Sequence, residues 1–280
     1  MIIFKKVSDL QSFIAARKQE GAAVGFAPTM GALHDGHLSL LRRIGEDGML
    51  KVCSIFLNPT QFNNKSDFEK YPVSTPEDVA LLVAAGCDVL FLPPVAEIYP
   101  DGTEAGEVFD FGFLDTTLEG KHRPGHFKGV GQVVSRLLDI VQPDTLYMGQ
   151  KDYQQCMVID NLLKQKQVRT KLTICPTVRE QDGLAMSSRN RRLTQEQRAV
   201  SGAIYQCLVS IQSKAFAQPF AIVKKECEAL LADRGFEPEY VELADATTLS
   251  GLDDYESDRP MIALIAARIG EIRLIDNMYV

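Results

Sequence analysis

Two histidines three positions apart, His34 and His37 in "APTMGALHDGHLSLL" (residues 27–41), pose the first chemical question in this 280-residue sequence. They follow the apolar run "AVGFAP" and precede a leucine-rich segment, so the pattern predicts a strand turning into a helix that buries Leu33, Leu40, Leu41 and Ile44. Both imidazoles then fall near the helix N-terminus on neighbouring positions of one face, where free N–H groups and the helix dipole favour anions. Gly31 and Gly36 would let a ligand approach the backbone closely. A bare H-x-x-H also fits a satisfied structural pair. Zinc fits less well, because metal-binding pairs on a helix usually stand four apart with a glutamate between them.

The other two histidines, His122 and His126, lie in "KHRPGHFKG" with Lys121, Arg123 and Lys128. All four histidines thus occupy two polar loops. A polyanionic ligand would explain both loops; a solvated basic loop is the alternative for the second. In "GQKDYQQ" (149–155), which follows the run "DTLYM", Gly149 frees the backbone and Lys151 stands at the carboxyl end of a predicted sheet. Asp152 there could cap the next helix, or hold a ribose or a metal. In "FLNPTQF" Asn58 and Pro59 make a turn, and Gln61 both donates and accepts, which suits a small polar acid. "AMSSRN" (185–190) adds two hydroxyls and Arg189, whose planar fork matches phosphate oxygens. Each stretch alone has a bland reading as a helix start or surface turn. Their co-occurrence in one chain does not.

The elements that must position these residues are legible from periodicity. "AVGFAP", "KVCSIFLNP", "DVLFLPP", "DTLYMG" and "KLTICP" are continuous apolar strands separated by helical patterns, which means a parallel sheet covered on both faces. Thr75, Pro76 and Asp78 read as a capping box for a helix stopping at Gly86. Val130, Val133, Val134, Leu137, Leu138 and Val141 keep the spacing of a helix lying on the sheet. After Pro176 the pattern changes to two helical segments, the first capped by Thr194 with Gln197 and the second running from about Pro219 to Asp233. Three strands follow, "EYVELADA", "MIALIAARIG" and "EIRLIDNMYV", with a hairpin turn at Gly270. The expected fold class is α/β: a Rossmann-like parallel-sheet nucleotide-binding domain over residues 1–176, then a smaller α+β domain over residues 177–280.

Composition narrows the functions. A net charge of -7 argues against a general nucleic-acid binder. No stretch approaches the roughly 18 apolar residues of a membrane span, and the start lacks a signal-peptide core, so a soluble cytoplasmic protein is expected. The six cysteines form no C-x-x-C pair and read as reduced, buried small hydrophobes.

Together "PTMGALHDGHLSL", "FLNPTQF", "GHFKGV", "GQKDYQQ" and "DGLAMSSRN" closely resemble the pantothenate synthetase family, the ligases of pantoate and β-alanine. The resemblance runs by motif from about residue 23 to residue 192 and fits the whole length. It implies a two-step reaction: pantoate and ATP give pantoyl adenylate and pyrophosphate, then β-alanine displaces AMP to form the amide of pantothenate, the precursor of coenzyme A. Carried over by position, it implies that Met30, Gly31, Ala32, Leu33, His34, Asp35, Gly36 and His37 hold ATP, with His34 and His37 donating to its phosphates. Lys151, Ser187, Ser188 and Arg189 would neutralise the α-phosphate and the departing pyrophosphate. Gly149, Gln150, Asp152, Val178 and Met186 would flank the nucleotide. Gln61 and Gln155 would grip pantoate, and Gln61 would lie near the entering β-alanine. The resemblance further implies Mg2+ with the triphosphate, a homodimer, and a C-terminal domain acting as a lid over the nucleotide. Gln150 stands where the family often has glutamate, and Val73 where it commonly has arginine. The histidine turn and the Met-Ser-Ser-Arg block also resemble wider nucleotidyl transferases and class I aminoacyl-tRNA synthetases. The first rival lacks the paired glutamine motifs, and the second needs an anticodon-binding domain or basic tRNA face that this chain does not offer. A non-catalytic adenine-nucleotide sensor on the same fold is the rival from another class.

Overall fold

Strands that are apolar on both faces need cover on both sides, and alternation along each strand decides which side chain goes where. The structure, a computed structural model, describes residues 1–62, 65–103 and 107–280. They fall into two compact units, Met1–Gly149 with Gln154–Pro176, and Gln150–Tyr153 with Thr177–Val280.

The first unit holds β1 (Ile2–Phe4), β2 (Val24–Thr29), β3 (Leu50–Ile55), β4 (Val89–Phe91), β5 (Thr145–Gly149) and β6 (Lys171–Cys175). They form one sheet in the order β1-β4-β3-β2-β5-β6, with every pairing parallel. Its helices are α1 (Val7–Gln19), α2 (Asp35–Glu46), α3 (Lys65–Glu69), α4 (Thr75–Ala84), α5 (Val95–Ile98), α6 (Leu118–His122), α7 (His126–Val141) and α8 (Tyr153–Lys166). Phe26, Val52 and Leu146 pack on one side of the sheet with Leu10 and Ile14 of α1 and with Val130, Val134 and Leu137 of α7. The alternate residues Ala27, Cys53 and Tyr147 pack on the other side with Leu41 and Ile44 of α2 and Leu82 of α4. The expected α/β architecture is therefore observed, with one strand more than the pattern predicts. The extra strand, β1, is three residues at the sheet edge with Ile2 and Ile3 exposed, too short to show alternation.

From β2 the chain steps outward through β3 and β4, then crosses back to lay β5 on the other side of β2. The carboxyl ends of β2 and β5 thus flank a topological switch point, where sheets of this kind open a crevice for ligands.

The second unit holds α9 (Gln195–Val200), α10 (Ala203–Ser213) and α11 (Phe220–Asp233), and an antiparallel sheet of β7 (Glu237–Asp245), β8 (Met261–Ile269) and β9 (Ile272–Tyr279). Thr194 and Gln197 form the expected capping box. The first expected helical segment is broken at Gly202, where a Cβ would stand 2.9 Å from the Asp182 carbonyl oxygen, so it comprises two helices. Ile204, Leu208 and Ile211 of α10 and Val223 and Leu231 of α11 close one core with Val241, Ala263 and Ile265 of the sheet. Gly270 turns the last hairpin with φ 57, a left-handed conformation that glycine adopts without a Cβ clash. Among the described residues no helix is long and apolar enough to cross a membrane. All six cysteines are buried.

Candidate active site

β2 ends at Thr29 and α2 begins at Asp35, so the chain must reverse within the few residues between. Gly31 (φ 83) and Ala32 (φ 49) take left-handed backbone to do so. That conformation is costly for alanine. Asp78 of α4 stabilises it: its Oδ2 accepts the Ala32 N–H and its Oδ1 the Leu33 N–H, each at 2.8 Å. The expected capping box of Thr75 and Asp78 is not formed. Ser74 is the N-cap residue of α4, without a side-chain cap bond, and Asp78 shares the buried face of the helix with Leu82. A carboxylate on that face is removed from water, so it takes the backbone donors of the adjacent turn rather than those of its own helix.

His34 is the N-cap residue of α2. Its Nδ1 accepts the Gly36 N–H at 3.2 Å, and Nδ1 of His37 accepts the His34 N–H at 3.3 Å. The ring centroids lie 4.0 Å apart. A ring nitrogen that accepts carries no proton, so each neutral imidazole is the Nε2–H tautomer. The end of α2 therefore carries two ring N–H donors, a set suited to anionic oxygens. Leu33 lies before α2 rather than within it, yet is buried as expected.

His126 differs in kind. The sequence reading treats it as a polar-loop residue for a polyanion, but it opens α7, is 5% exposed, and has both ring nitrogens engaged within the unit. Its Nδ1 donates to the Gln61 carbonyl oxygen at 2.8 Å, and its Nε2 faces Arg123 Nη1 at 3.0 Å. This is the opposite tautomer, and its role is to hold the Gln61 backbone. Much of the supposed loop is helix, in α6 and α7.

Gln61 closes a short 3-10 turn after β3. Its Oε1 accepts from Asn58 Nδ2 at 3.1 Å, and its Nε2 reaches Met30 Sδ at 2.9 Å. Asn58, 1% exposed, also donates to the Gly129 carbonyl at 3.2 Å and accepts the Tyr99 hydroxyl at 2.8 Å. Burial raises the pKa of Tyr99, which keeps that hydroxyl a donor. The turn assigned to Asn58 from sequence is therefore also the bracket that orients the Gln61 amide. Gln155 is half-buried on α8, whereas its neighbour Gln154 is buried and spent on Leu114, Thr117 and Glu119. A cleft of ≈ 250 Å³ lies beside the turn after β2, lined by Met30, Gly31, Ala32, Val73 and Asp78 among others. Val73 itself is 77% exposed.

In the second unit Gln150, Lys151 and Asp152 form a 3-10 turn. Asn277 holds it, donating through Nδ2 to the carbonyls of Gln150 and Lys151 at 2.9 Å each and accepting from Gln150 Nε2 at 3.2 Å. An amide at position 150 is thus paired with an amide. Lys151 Nζ stands 3.6 Å from Asp152 Oδ1. Val178 and Met186 are neighbours, the Met186 N–H donating to the Val178 carbonyl, beside the antiparallel bridge of Arg179 and Ala185. Ser187 then caps the 3-10 turn Ser188–Arg192 by accepting the Arg189 N–H. The expected nucleotide residues of this part of the chain therefore come as one framed strand-and-turn.

A family model described as pantoate-beta-alanine ligase matches residues 2–279. The chain belongs to the pantoate-beta-alanine ligase family. Curated relatives in that family include the pantothenate synthetases of Porphyromonas gingivalis, 42% identical over 99% of each chain, and of Cytophaga hutchinsonii, 43% identical over 100% of this chain and 99% of the relative. A solved pantothenate synthetase from Thermus thermophilus superposes with a TM-score of 0.90 at 37% identity, over 99% of each chain. A pantoate-beta-alanine ligase from Francisella tularensis, solved with beta-gamma ATP and beta-alanine, gives a TM-score of 0.83 at 35% identity over 99% of this chain and 97% of that one.

Sequence reasoning misses the bond of Tyr99 to Asn58 and takes Asp78 for a helix cap rather than the group that holds the turn before His34. Asp78 left a signal: it stands at i, i+4 to Leu82 on an otherwise apolar face. Tyr99 left none.

Proposed function

We propose that this chain condenses pantoate with β-alanine at the expense of ATP, releasing AMP and pyrophosphate. The pantoate carboxylate attacks the α-phosphorus and the bond to pyrophosphate breaks. The β-alanine amine then attacks the acyl carbon, the bond to AMP breaks, and the ammonium proton leaves to solvent. The carboxylate is already an anionic nucleophile, so the first step asks for alignment and charge stabilisation more than for a general base. The observation that carries the reading is that His34 and His37, at the switch-point end of β2, each accept a backbone N–H at Nδ1, which leaves Nε2 as the ring donor.

Met30 to His37 would hold ATP, with His34 and His37 donating to its phosphates through Nε2. Lys151, Arg189, Ser187 and Ser188 would balance the charge that grows on the α-phosphate and on leaving pyrophosphate, a role in which one donor is worth about 10²- to 10³-fold in rate. Gly149, Gln150, Asp152, Val178 and Met186 would border the nucleoside. Gln61 and Gln155 would bind pantoate's hydroxyl and carboxylate, Gln61 also meeting β-alanine. ATP would arrive as its Mg2+ complex. Among the described residues no group of three His, Cys, Asp or Glu stands together to hold a metal, and imidazole, ammonium and guanidinium donors suit phosphate rather than Mg2+. The proposal includes a homodimer in the cytoplasm, read by light scattering on the purified chain and by fractionation.

The deciding experiment is pyrophosphate release from ATP before any β-alanine is added. Release only with pantoate, followed by AMP and pantothenate once β-alanine enters, is the expected result. Release without pantoate, or nucleotide binding without turnover, would overturn the reading.

A further inference from the structure

We propose that Asp78 is a positioning residue for adenylation, acting through the Gly31–Leu33 turn on His34 and His37. Successive N–H groups at a left-handed residue form a small concave nest for an anion. Here the nest is the N–H pair of Ala32 and Leu33, and the anion is the protein's own carboxylate, bound to both at 2.8 Å. Gly31 is fitted to the same group: a Cβ there would meet Asp78 Oδ2 at 3.1 Å and Ile55 Cγ2 at 3.1 Å. Ser74 Oγ donates to Oδ1 at 3.1 Å, and burial to 1% exposure shields the carboxylate from water.

Two consequences follow for the ligand. The amides of Ala32 and Leu33 are spent on Asp78, so a phosphate at this end of the sheet meets the imidazoles rather than the nest. The strained turn is also held in one conformation, and His34, the next residue, begins the mutual cap that sets both ring tautomers. Asp78 touches no substrate in this account. Its work is to aim two donors.

Asparagine at 78 keeps size but sets an NH2 group against one of the two N–H donors. This test rests on the proposed ligase reading, and the wild-type arm checks that reading separately. For Asp78→Asn, pantoate-dependent pyrophosphate formation should fall roughly 10- to 100-fold in kcat/KM, the scale of a misplaced catalytic group. Conversion of supplied pantoyl adenylate and β-alanine to pantothenate should stay within about 2-fold, because the histidines serve the first half-reaction. In the double variant with His37→Ala, the two losses should be far from multiplicative, since both remove one device. Equal loss in both half-reactions, or fully multiplicative losses, would overturn the proposal.

Should Asp78→Asn fail to fold, Ser74→Ala weakens the same carboxylate more gently; about a 3- to 5-fold loss confined to the first half-reaction is expected, and no loss would overturn the proposal. Should the wild type bind ATP without turnover, the ligase reading fails while the positioning role is still measured by calorimetry with MgATP. Affinity about 10-fold weaker in Asp78→Asn, non-multiplicative with His37→Ala, would then support it, and unchanged affinity would overturn it.

Discussion

His37 accepts the backbone N–H of His34 through Nδ1 at 3.3 Å, so the second histidine of the motif fixes the first. His37→Ala should therefore lower pantoate-dependent pyrophosphate formation by about 10²- to 10³-fold. Loss of the cap should cost only about 1 kcal/mol of stability, read by urea melts. A zinc-dependent activity removed by a chelator that spares Mg2+ would contradict the phosphate role.

The Gln61 amide is aimed by Asn58, which in turn is held by Tyr99. Asn58→Ala should raise the pantoate KM by about 10-fold or more while leaving the ATP KM near its starting value, since a buried oriented amide is lost. Tyr99→Phe removes one bond worth about 1 kcal/mol and should give about a 5-fold rise. Steady-state titrations of each substrate separate the two outcomes.

Gly129 of α7 sits against the turn that bears Gln61. A Cβ there would lie 2.4 Å from the Thr60 carbonyl oxygen and 2.8 Å from Gln61 Cα, both backbone atoms with little room to yield. Helix propensity alone makes Gly129→Ala favourable by about 1 kcal/mol. Overpacking should win, with a net loss of about 1–3 kcal/mol in urea melts and a raised pantoate KM.

In the C-terminal sheet Arg268 and Arg273 face each other across β8 and β9, and Glu239 accepts from their Nε atoms at 2.7 and 2.8 Å. Burial alone would raise its pKa, but the two guanidiniums outweigh that and hold it below the usual carboxylate value. Because the folded pKa is depressed, the stabilisation is present above the unfolded value of about 4.3 and is lost as pH falls through the folded one. Glu239→Gln should cost about 1–2 kcal/mol at pH 7. That deficit should shrink in acid, as paired melts at neutral pH and below about pH 4 will read.

Local physics made much of this protein legible in its sequence. Apolar runs and their alternation announce the strands of a parallel sheet; the spacing from Val130 to Val141 announces α7; Thr194 with Gln197 announces the start of α9. Motif chemistry points to His34, His37, Gln61, Lys151 and Ser187–Arg189, and the chain belongs to the pantoate-beta-alanine ligase family. Tertiary structure decided what the polar residues do. His126 looks like His37 in sequence, but a carbonyl at its Nδ1 makes one tautomer and an amide N–H at His37 Nδ1 makes the other. Asp78 looks like a helix cap, yet burial beside a foreign turn turned its carboxylate to Ala32 and Leu33. Periodicity reports which face of an element leaves water, because that depends on near neighbours in the chain. The partner that a buried polar group finds there comes from elsewhere in the chain, 45 or 46 residues away for Asp78, and is set only when the elements pack.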